Sequence, residues 1–583
     1  MATIVIDPVT RIEGHLRIEA VLNASNKVTK ASSSGTMMRG IEIIVRNRDP
    51  RDVWAYTQRN CGVCTWVHAI ASTRAVEDAL DITIPPNAQL IRNLMSAAWM
   101  IPDHVMHFYH LQALDLVNLP NALNANPAAT AALQMQISPT RTTNNTAAYF
   151  SEVQAKLAAF VTSGQLGIYN GWWSHPGYKL PPEADLLAFA HYLEALAWQR
   201  EVVRLHAILG GKNPHPMALV GGVPCAISVD ANLNDYAGGR TALDKAGLDL
   251  IQAKITEIRD FVDQVYLPDT LAIAGFYKDL ATLGEGLGNF LSYGEFPKIG
   301  GGKLFPAGVI LNRNLATVQS VNVKFQSQIQ EYVSHSWYDY TAGKNTPLHP
   351  FVGETNPNYT GPTPPYAHLD TNASYSWVKS PRWKGKPMEA GPLSFMLVAY
   401  ASGNAAVKTL VDSSLAQLGL PQSALFSTLG RTLARTLMSK IVADEMQSWY
   451  DQLIARIQSG DFNTFNQNKS DPANWPANAK NNVGVSGAGT TEAPRGGLAH
   501  WVTIKNSVVD NYQVIAPTTW NGSPRDALGQ SGAFEAALVG HQLFNPSQPL
   551  EILRTIHSFD PCLACAVHLL DPQGEELVQV KVR

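Results

Sequence analysis

The stretch Asp560-Pro561-Cys562-Leu563-Ala564-Cys565-Ala566-Val567-His568 places two of the chain's five cysteines three positions apart, close to its end. A second pair, Cys61 and Cys64 in Arg59-Asn60-Cys61-Gly62-Val63-Cys64-Thr65-Trp66-Val67-His68, lies near the beginning. If the pairs meet, four thiolates converge on one point, and a soft thiolate cage selects zinc, copper(I), iron-sulfur clusters or nickel over magnesium or calcium. Structural zinc modules place the second pair about 15 to 20 residues after the first, because a small loop folds round the ion. Here about 500 residues intervene, so a cage would tie the two ends of a large fold round a buried site. Spacing alone leaves three readings open: a functional metal, zinc or an iron-sulfur cluster, and unrelated thiols.

Composition narrows the class. A length of 583 residues allows about four domains, yet each cysteine pair needs the other, which argues for one large unit. Lysine plus arginine (44) nearly balances aspartate plus glutamate (47), so no charge excess points to nucleic acid or an anionic membrane. Hydrophobic residues make up 45% and charged residues only 16%, below the usual level of about a quarter; such a chain buries a large core or a broad partner surface. No run approaches the roughly 18 apolar residues that span a bilayer, and residues 393–401 read as a short buried helix. Asp7 and Arg11 come too early for a secretory signal. The chain is therefore expected to stay in the cytoplasm or to rely on a partner's export signal. Five cysteines do not make a disulfide framework, and Cys225 reads as a small buried thiol.

Periodicity supplies the architecture. TIVIDP and HLRIEAVLN alternate as an antiparallel pair, with Glu13 in the turn between them. Helical patterns follow the first cysteine pair and continue from Pro86 to about Val117, where Pro102 should kink the helix or begin a new one. Further helices are expected over 182–209, 239–265 and 429–459, the last about 45 Å long at about 1.5 Å per residue. Asp103, His104, His107 and His110 follow Pro102; the histidines drift round the helix and read as hydrogen-bonded packing groups. His68, four residues after Cys64, would share its helix face if the helix has begun there. Residues 270–385 are rich in Gly, Pro, Asn, Tyr and Trp with little periodicity, and 461–493 read as a loop delivering Ala493, Pro494, Arg495 and Gly496. The expected fold is mainly α with small β additions, built on a central bundle of long helices.

Several blocks then carry a resemblance: DPVTRIEGH (7–15), RGIE (39–42), RDPRD (48–52), CGVCTWVH (61–68), DHVMHFYHL (103–111), GGKNPHP (210–216), EYVSHSWY (331–338), YSWVKSPRW (375–383), GPLS (391–394), APRGG (493–497), PTTWNGSPRD (517–526) and ILRTIHSFDPCLACAVH (552–568). In this order they resemble the large, catalytic subunit of nickel-iron hydrogenases of the group 1 uptake type, over nearly the whole chain. The resemblance implies one catalytic domain over 1–568. It comprises a β and CGVC segment (1–85), a helical core (86–265 and 390–460), an irregular segment (270–385) and a metal-site segment (490–568).

What the family implies for individual residues follows. Cys61 and Cys562 would bind nickel terminally, while Cys64 and Cys565 bridge nickel to an iron carrying carbon monoxide and cyanide. Splitting hydrogen, a very weak acid, calls for a metal to take the hydride and a base to take the proton. Protons would leave through Cys562 and Glu13. Arg495 would activate hydrogen over the open side of the metals, flanked by Asp103 and Asp560, with Pro494 and Thr518 lining the pocket round the iron ligands. Glu42, the His568 side chain and a backbone carbonyl near Val514 match a magnesium or iron(II) position, and oxygen ligands with waters suit magnesium.

After the four cage cysteines only Cys225 remains, so no cluster can be built in this chain. Electrons would pass to an iron-sulfur small subunit in a heterodimer or a dimer of heterodimers, and onward to a membrane cytochrome or quinone-linked acceptor. The expected location is the periplasmic face of a membrane, with the export signal on the small subunit, or the cytoplasm for an unprocessed precursor. Fifteen residues follow His568. In the family an endopeptidase removes such a tail once nickel-insertion proteins have loaded the site, so a chain retaining 569–583 is expected to lack a completed centre. Asn60 and Pro102 depart from the family pattern, which has an apolar residue and a histidine there. The competing readings are a structural zinc scaffold and a relative of the quinone-site subunit of respiratory complex I, which lacks the four cysteines.

Overall fold

The computed structural model describes residues 2–566 apart from positions 39, 165, 170, 230–234, 237–238, 241–242 and 364–365. Val567, His568 and the tail 569–583 therefore lie outside the described residues, as does Arg39 of the RGIE block. Ala2–Ile6 (β1) and Leu16–Leu22 (β2) form the expected antiparallel pair, and Val28–Gly35 (β3) adds a third strand beyond β2. The Ser-rich β3 shows little alternation because its polar side chains are buried and bonded. The Ser33 N–H donates to Glu535 Oε1 at 3.1 Å and its hydroxyl to the Gly522 carbonyl at 3.2 Å.

Val67–Leu80 (α1) begins three residues after Cys64, so the first cysteine pair sits in the turn before the helix, not on it. Pro86–Met106 (α2) continues past Pro102, so no new helix begins there. A proline inside a helix removes one N–H bond and crowds the preceding turn, but α2 is buried on almost every side and packing holds it. The ladder loosens further along, in a π-helical stretch from His107 to Gln112. Pro182–Val202 (α3), Lys245–Phe261 (α4) and Pro392–Ala401 (α5) are helical as expected, except that α4 starts six residues later than its pattern suggested. Thr428–Gln458 (α6) spans 31 residues and opens with the Ser427 side chain accepting from the Gly430 N–H.

Leu94, Ile101 and Val105 of α2 pack with Leu433, Leu437 and Leu453 of α6 in the largest core. Each such side chain contributes about 1.5 to 3 kcal/mol on full burial, and this bundle is the rigid wall from which Asp103 projects. The fold is mainly α with small sheets, as the sequence indicated. Residues 270–385 open with the end of a helix, Leu267–Phe276, and then carry short paired strands such as Phe290–Ser292 with Gly308–Ile310.

The expected loop over 461–493 is corrected in its last nine residues. Val485–Ala493 (β4), Gly496–Lys505 (β5) and Val508–Ile515 (β6) form an antiparallel sheet. Ala493 pairs with Gly496, so Pro494 and Arg495 are the two-residue tip of a hairpin. β4 looks like a loop because its glycines press on α1: a Cβ on Gly489 would stand 2.1 Å from the Ala71 carbonyl oxygen. Pro517–Asn521 (α7), Leu550–Ser558 (α8) and Leu563–Ala566 (α9) complete the described chain. The two ends are joined by backbone bonds: Glu13 N–H donates to the Pro561 carbonyl at 3.2 Å, and Leu563 N–H donates to the Glu13 carbonyl at 2.8 Å.

Candidate metal centre

Two stretches from opposite ends of the chain supply the sulfurs. The turn before α1 supplies Cys61 and Cys64. Asp560, in the left-handed region at φ 56°, turns the chain out of α8 and into Cys562 and Cys565; short polar residues tolerate that conformation best after glycine. Cys61 Sγ lies 3.4 Å from Cys562 Sγ, Cys64 Sγ 2.8 Å from Cys565 Sγ, and Cys562 Sγ 2.9 Å from Cys565 Sγ. All four Sγ atoms fall within 4.8 Å of one another, and all four residues are buried. Among the described residues this is the only group of three or more His, Cys, Asp or Glu side chains placed to share one ion. Each distance far exceeds the about 2.05 Å of a disulfide.

The donor set fits a metal. Burial pushes the Cys64 thiol up to about 12 and raises Cys562 and Cys565 as well. Cys61, equally buried, is held low by donation from the other three thiols and by the Arg495 charge. Four thiolates in one dry pocket need a compensating cation, and thiolate ligation is coupled to loss of those protons.

Arg495 enters from the hairpin tip and is fully buried. Its Nη1 donates to Asp103 Oδ2 at 3.0 Å, its Nη2 to Asp103 Oδ1 at 3.4 Å, and Nη2 stands 3.0 Å from Asp560 Oδ1 in an ion pair without hydrogen-bond alignment. The guanidinium is raised further despite burial by Asp103, Asp560 and the nearby thiolates. Asp103 is pushed up to about 7 by burial, with Arg495 opposing. Thr518, at the start of α7, accepts the Cys562 N–H at 3.0 Å, which fixes the backbone under that sulfur.

Glu13 also reaches the cage. Its Oε2 is 3.1 Å from Cys562 Sγ and accepts the Ala564 N–H at 2.7 Å. Burial and the Cys61 charge push its carboxyl up to about 7, against the bonds from Cys562 and Ala564. Glu13 is partly exposed, whereas Asp103 and Asp560 are buried.

Glu42 and Val514 lie in a neighbouring cavity of about 50 Å³, which Cys565, Asn60, Glu331 and Lys379 also line. The Val514 N–H donates to Glu42 Oε1 at 2.8 Å, which brings these two expected ligands together. The other carboxylate oxygen takes the Thr355 hydroxyl and the Lys379 ammonium, the latter at 3.3 Å. Glu331 Oε1 is buried without a hydrogen-bond partner, and the Lys379 ammonium stands 3.7 Å from Glu331 Oε2, so the cavity already holds one positive charge between its two carboxylates. The third expected ligand, His568, lies outside the described residues.

Sequence reasoning missed two features. His68 Nδ1 stands 3.0 Å from His500 Nε2, and His500 Nδ1 stands 2.6 Å from the Tyr512 hydroxyl; this chain needs two strands more than 400 residues away, and no local signal marks it. His107 and His110 bond to the carbonyls of His557 and Tyr192 at 2.7 and 3.1 Å, the packing role expected of them. His104, however, reaches the hairpin tip itself.

The model for the nickel-dependent hydrogenase family matches residues 39–568, and a HoxL-like model matches residues 3–34. The chain belongs to the nickel-dependent hydrogenases and is the large subunit of such an enzyme, holding four cysteines at its active site. Over its full length it is 51% identical to the uptake hydrogenase large subunit of Bradyrhizobium diazoefficiens, covering 97% of that protein. It is 46% identical to the hydrogenase-1 large chain of Escherichia coli K12, again over 100% of this chain and 97% of the relative. A reduced, active nickel-iron-selenium hydrogenase from Desulfomicrobium baculatum superposes with a TM-score of 0.73 at 30% identity, over 97% of this chain and 100% of that one. The zinc-scaffold and complex-I-like readings are thereby set aside.

Proposed function

We propose that this subunit splits hydrogen heterolytically, sends both of its protons out through Glu13 and passes both of its electrons to an iron-sulfur small subunit. The carrying observation is the clustering of the four sulfurs with a partly exposed carboxyl in contact with one of them and a buried guanidinium nearby. Cys61 and Cys562 would hold nickel, and Cys64 and Cys565 would hold nickel and iron together, with carbon monoxide and cyanide on the iron near Pro494 and Thr518. When bound, the metals supply a Lewis acid that polarises hydrogen enough for it to part with a proton. Cys562 Sγ is placed to receive that proton, and Glu13 Oε2, 3.1 Å away, to accept it in turn. The Ala564 N–H fixes the carboxylate for the transfer. Arg495 places a fixed positive charge in a dry site, where charge acts strongly, and Asp103 and Asp560 hold it there.

Electrons leave through a partner because the chain's remaining cysteine, Cys225, cannot ligate a cluster alone. A magnesium ion held by Glu42, the Val514 carbonyl and His568 would brace the end of the chain, after an endopeptidase has removed 569–583. Glu13→Gln tests the relay, since the amide keeps the size and an acceptor for Ala564 N–H but cannot take a proton. General acid-base groups contribute about 10²- to 10⁴-fold. The variant complex is expected to keep its nickel and lose hydrogen-dependent dye reduction by that factor. Wild-type turnover at full nickel content would overturn the relay.

A further inference from the structure

Asp103 and His104 are neighbours on α2, and both reach the hairpin tip at Pro494 and Arg495. Asp103 takes the guanidinium; His104 takes the backbone. His104 Nε2 lies 3.0 Å from the Pro494 carbonyl oxygen, and His104 Nδ1 lies 2.9 Å from the Ser439 hydroxyl on α6. All three residues are buried.

The chemistry of these contacts allows one assignment of protons. Burial, aided by the Arg435 charge, pushes the His104 ring down to about 3, so it is neutral and carries a single N–H. A carbonyl oxygen only accepts, so that N–H sits on Nε2 and is spent on Pro494. Nδ1 is then an acceptor, and Ser439 must turn its O–H toward the ring and away from the Arg435 carbonyl, 3.1 Å off. The Pro494 carbonyl thus selects the tautomer, and the Ser439 hydroxyl supplies the hydrogen that Nδ1 then accepts.

We infer that His104 is a positioning residue: its Nε2–H ties the Pro494 carbonyl to the helical bundle, and the Ser439 hydroxyl anchors the other side of the ring. The tie matters because Arg495 sits at the end of a two-residue turn. Its guanidinium is oriented by carboxylates on α2 and after α8, while the backbone carrying it is fixed by the sheet behind and by His104. The same α2 turn therefore sets both ends of the arginine relative to the sulfurs. A displacement of about 1 Å in a reacting geometry costs on the order of 100-fold in rate.

This inference rests on the reading that Arg495 acts at the cage, and the experiment separates the two. The complete complex is purified with His104→Phe, His104→Gln, Ser439→Ala and Arg495→Lys. For each, kcat and KM for hydrogen, nickel and iron content, and the crystallographic position of Pro494 and Arg495 are measured. Phenylalanine keeps the ring and removes the donor; glutamine restores an N–H near the Nε2 position. The expected result is a kcat lowered about 10- to 100-fold in His104→Phe, with metals retained and the Arg495 guanidinium displaced. Glutamine should recover most of the rate, and Ser439→Ala should lose a few-fold. His104→Phe with wild-type kcat and an unmoved tip would overturn the inference, as would glutamine failing as badly as phenylalanine. If His104→Phe yields no complex, Ser439→Ala decides, since unchanged kcat with the ring's anchor removed refutes the positioning role. A wild-type kcat in Arg495→Lys would instead refute the role of the arginine, whatever His104 does.

Discussion

Replacing Arg495 by lysine keeps one positive charge and removes the fork. The wild-type guanidinium engages Asp103 through two nitrogens, at 3.0 and 3.4 Å, and faces Asp560 at 3.0 Å. An ammonium on a flexible stem is a point charge and satisfies one of these carboxylates at a time. The other is left buried with its counter-charge withdrawn. Asp103, already at about 7, then takes a proton. One lost charge-assisted hydrogen bond costs about 1.5 to 3 kcal/mol of stability, which a domain anchored by α2 and α6 should survive. For turnover the relevant comparison is the removal of one preorganised donor from a dry site, worth about 10² to 10³ in kcat. The assay is hydrogen-dependent dye reduction by the purified complex, with nickel content measured in the same sample. A rate within twofold of wild type, at equal nickel, would refute the claim that the oriented guanidinium contributes to the reaction.

Two further perturbations test the scaffold. Gly489→Ala brings a Cβ to 2.1 Å from the Ala71 carbonyl oxygen and 2.3 Å from the Ala75 nitrogen; overpacking of this kind costs about 1 to 3 kcal/mol or more. The melting temperature should fall, while Gly275→Ala, with open space round its Cβ, should leave it unchanged or raise it. Glu492 is wholly buried, accepting from Ser292 at 3.0 Å and from the Tyr293 N–H at 2.5 Å, and burial pushes its carboxyl up to about 8. The folded state therefore keeps a proton that the unfolded chain releases above its ordinary value of 4.5. Stability from this group is full below that value and is lost as pH rises through about 8. Glu492→Gln should flatten the decline in thermal stability between those limits; an unchanged slope would show that Glu492 does not titrate there.

Much of the fold was legible because its signals are local. The 31-residue α6 and the β1–β2 pair follow from periodicity, and the four cysteines stood out by pairing. Other elements were illegible for identifiable reasons. β3 and β4 carry serines and glycines whose roles come from distant partners: buried acceptors in one case, the close approach of α1 in the other. Pro102 broke no helix because α2 is held on all sides by packing that no window of sequence reveals. At the site, the residue types near the sulfurs were readable, whereas the Pro494 tie to His104 spans 390 positions and shows only in three dimensions.

The most direct test of the central claim is X-ray absorption at the nickel edge of the mature complex, compared with Cys61→Ser and Cys565→Ser. Four sulfur neighbours round nickel, with a nearby iron in the wild type and loss of nickel in both variants, is the expected result. Nickel bound mainly through nitrogen or oxygen, or full nickel retention after either substitution, would contradict it.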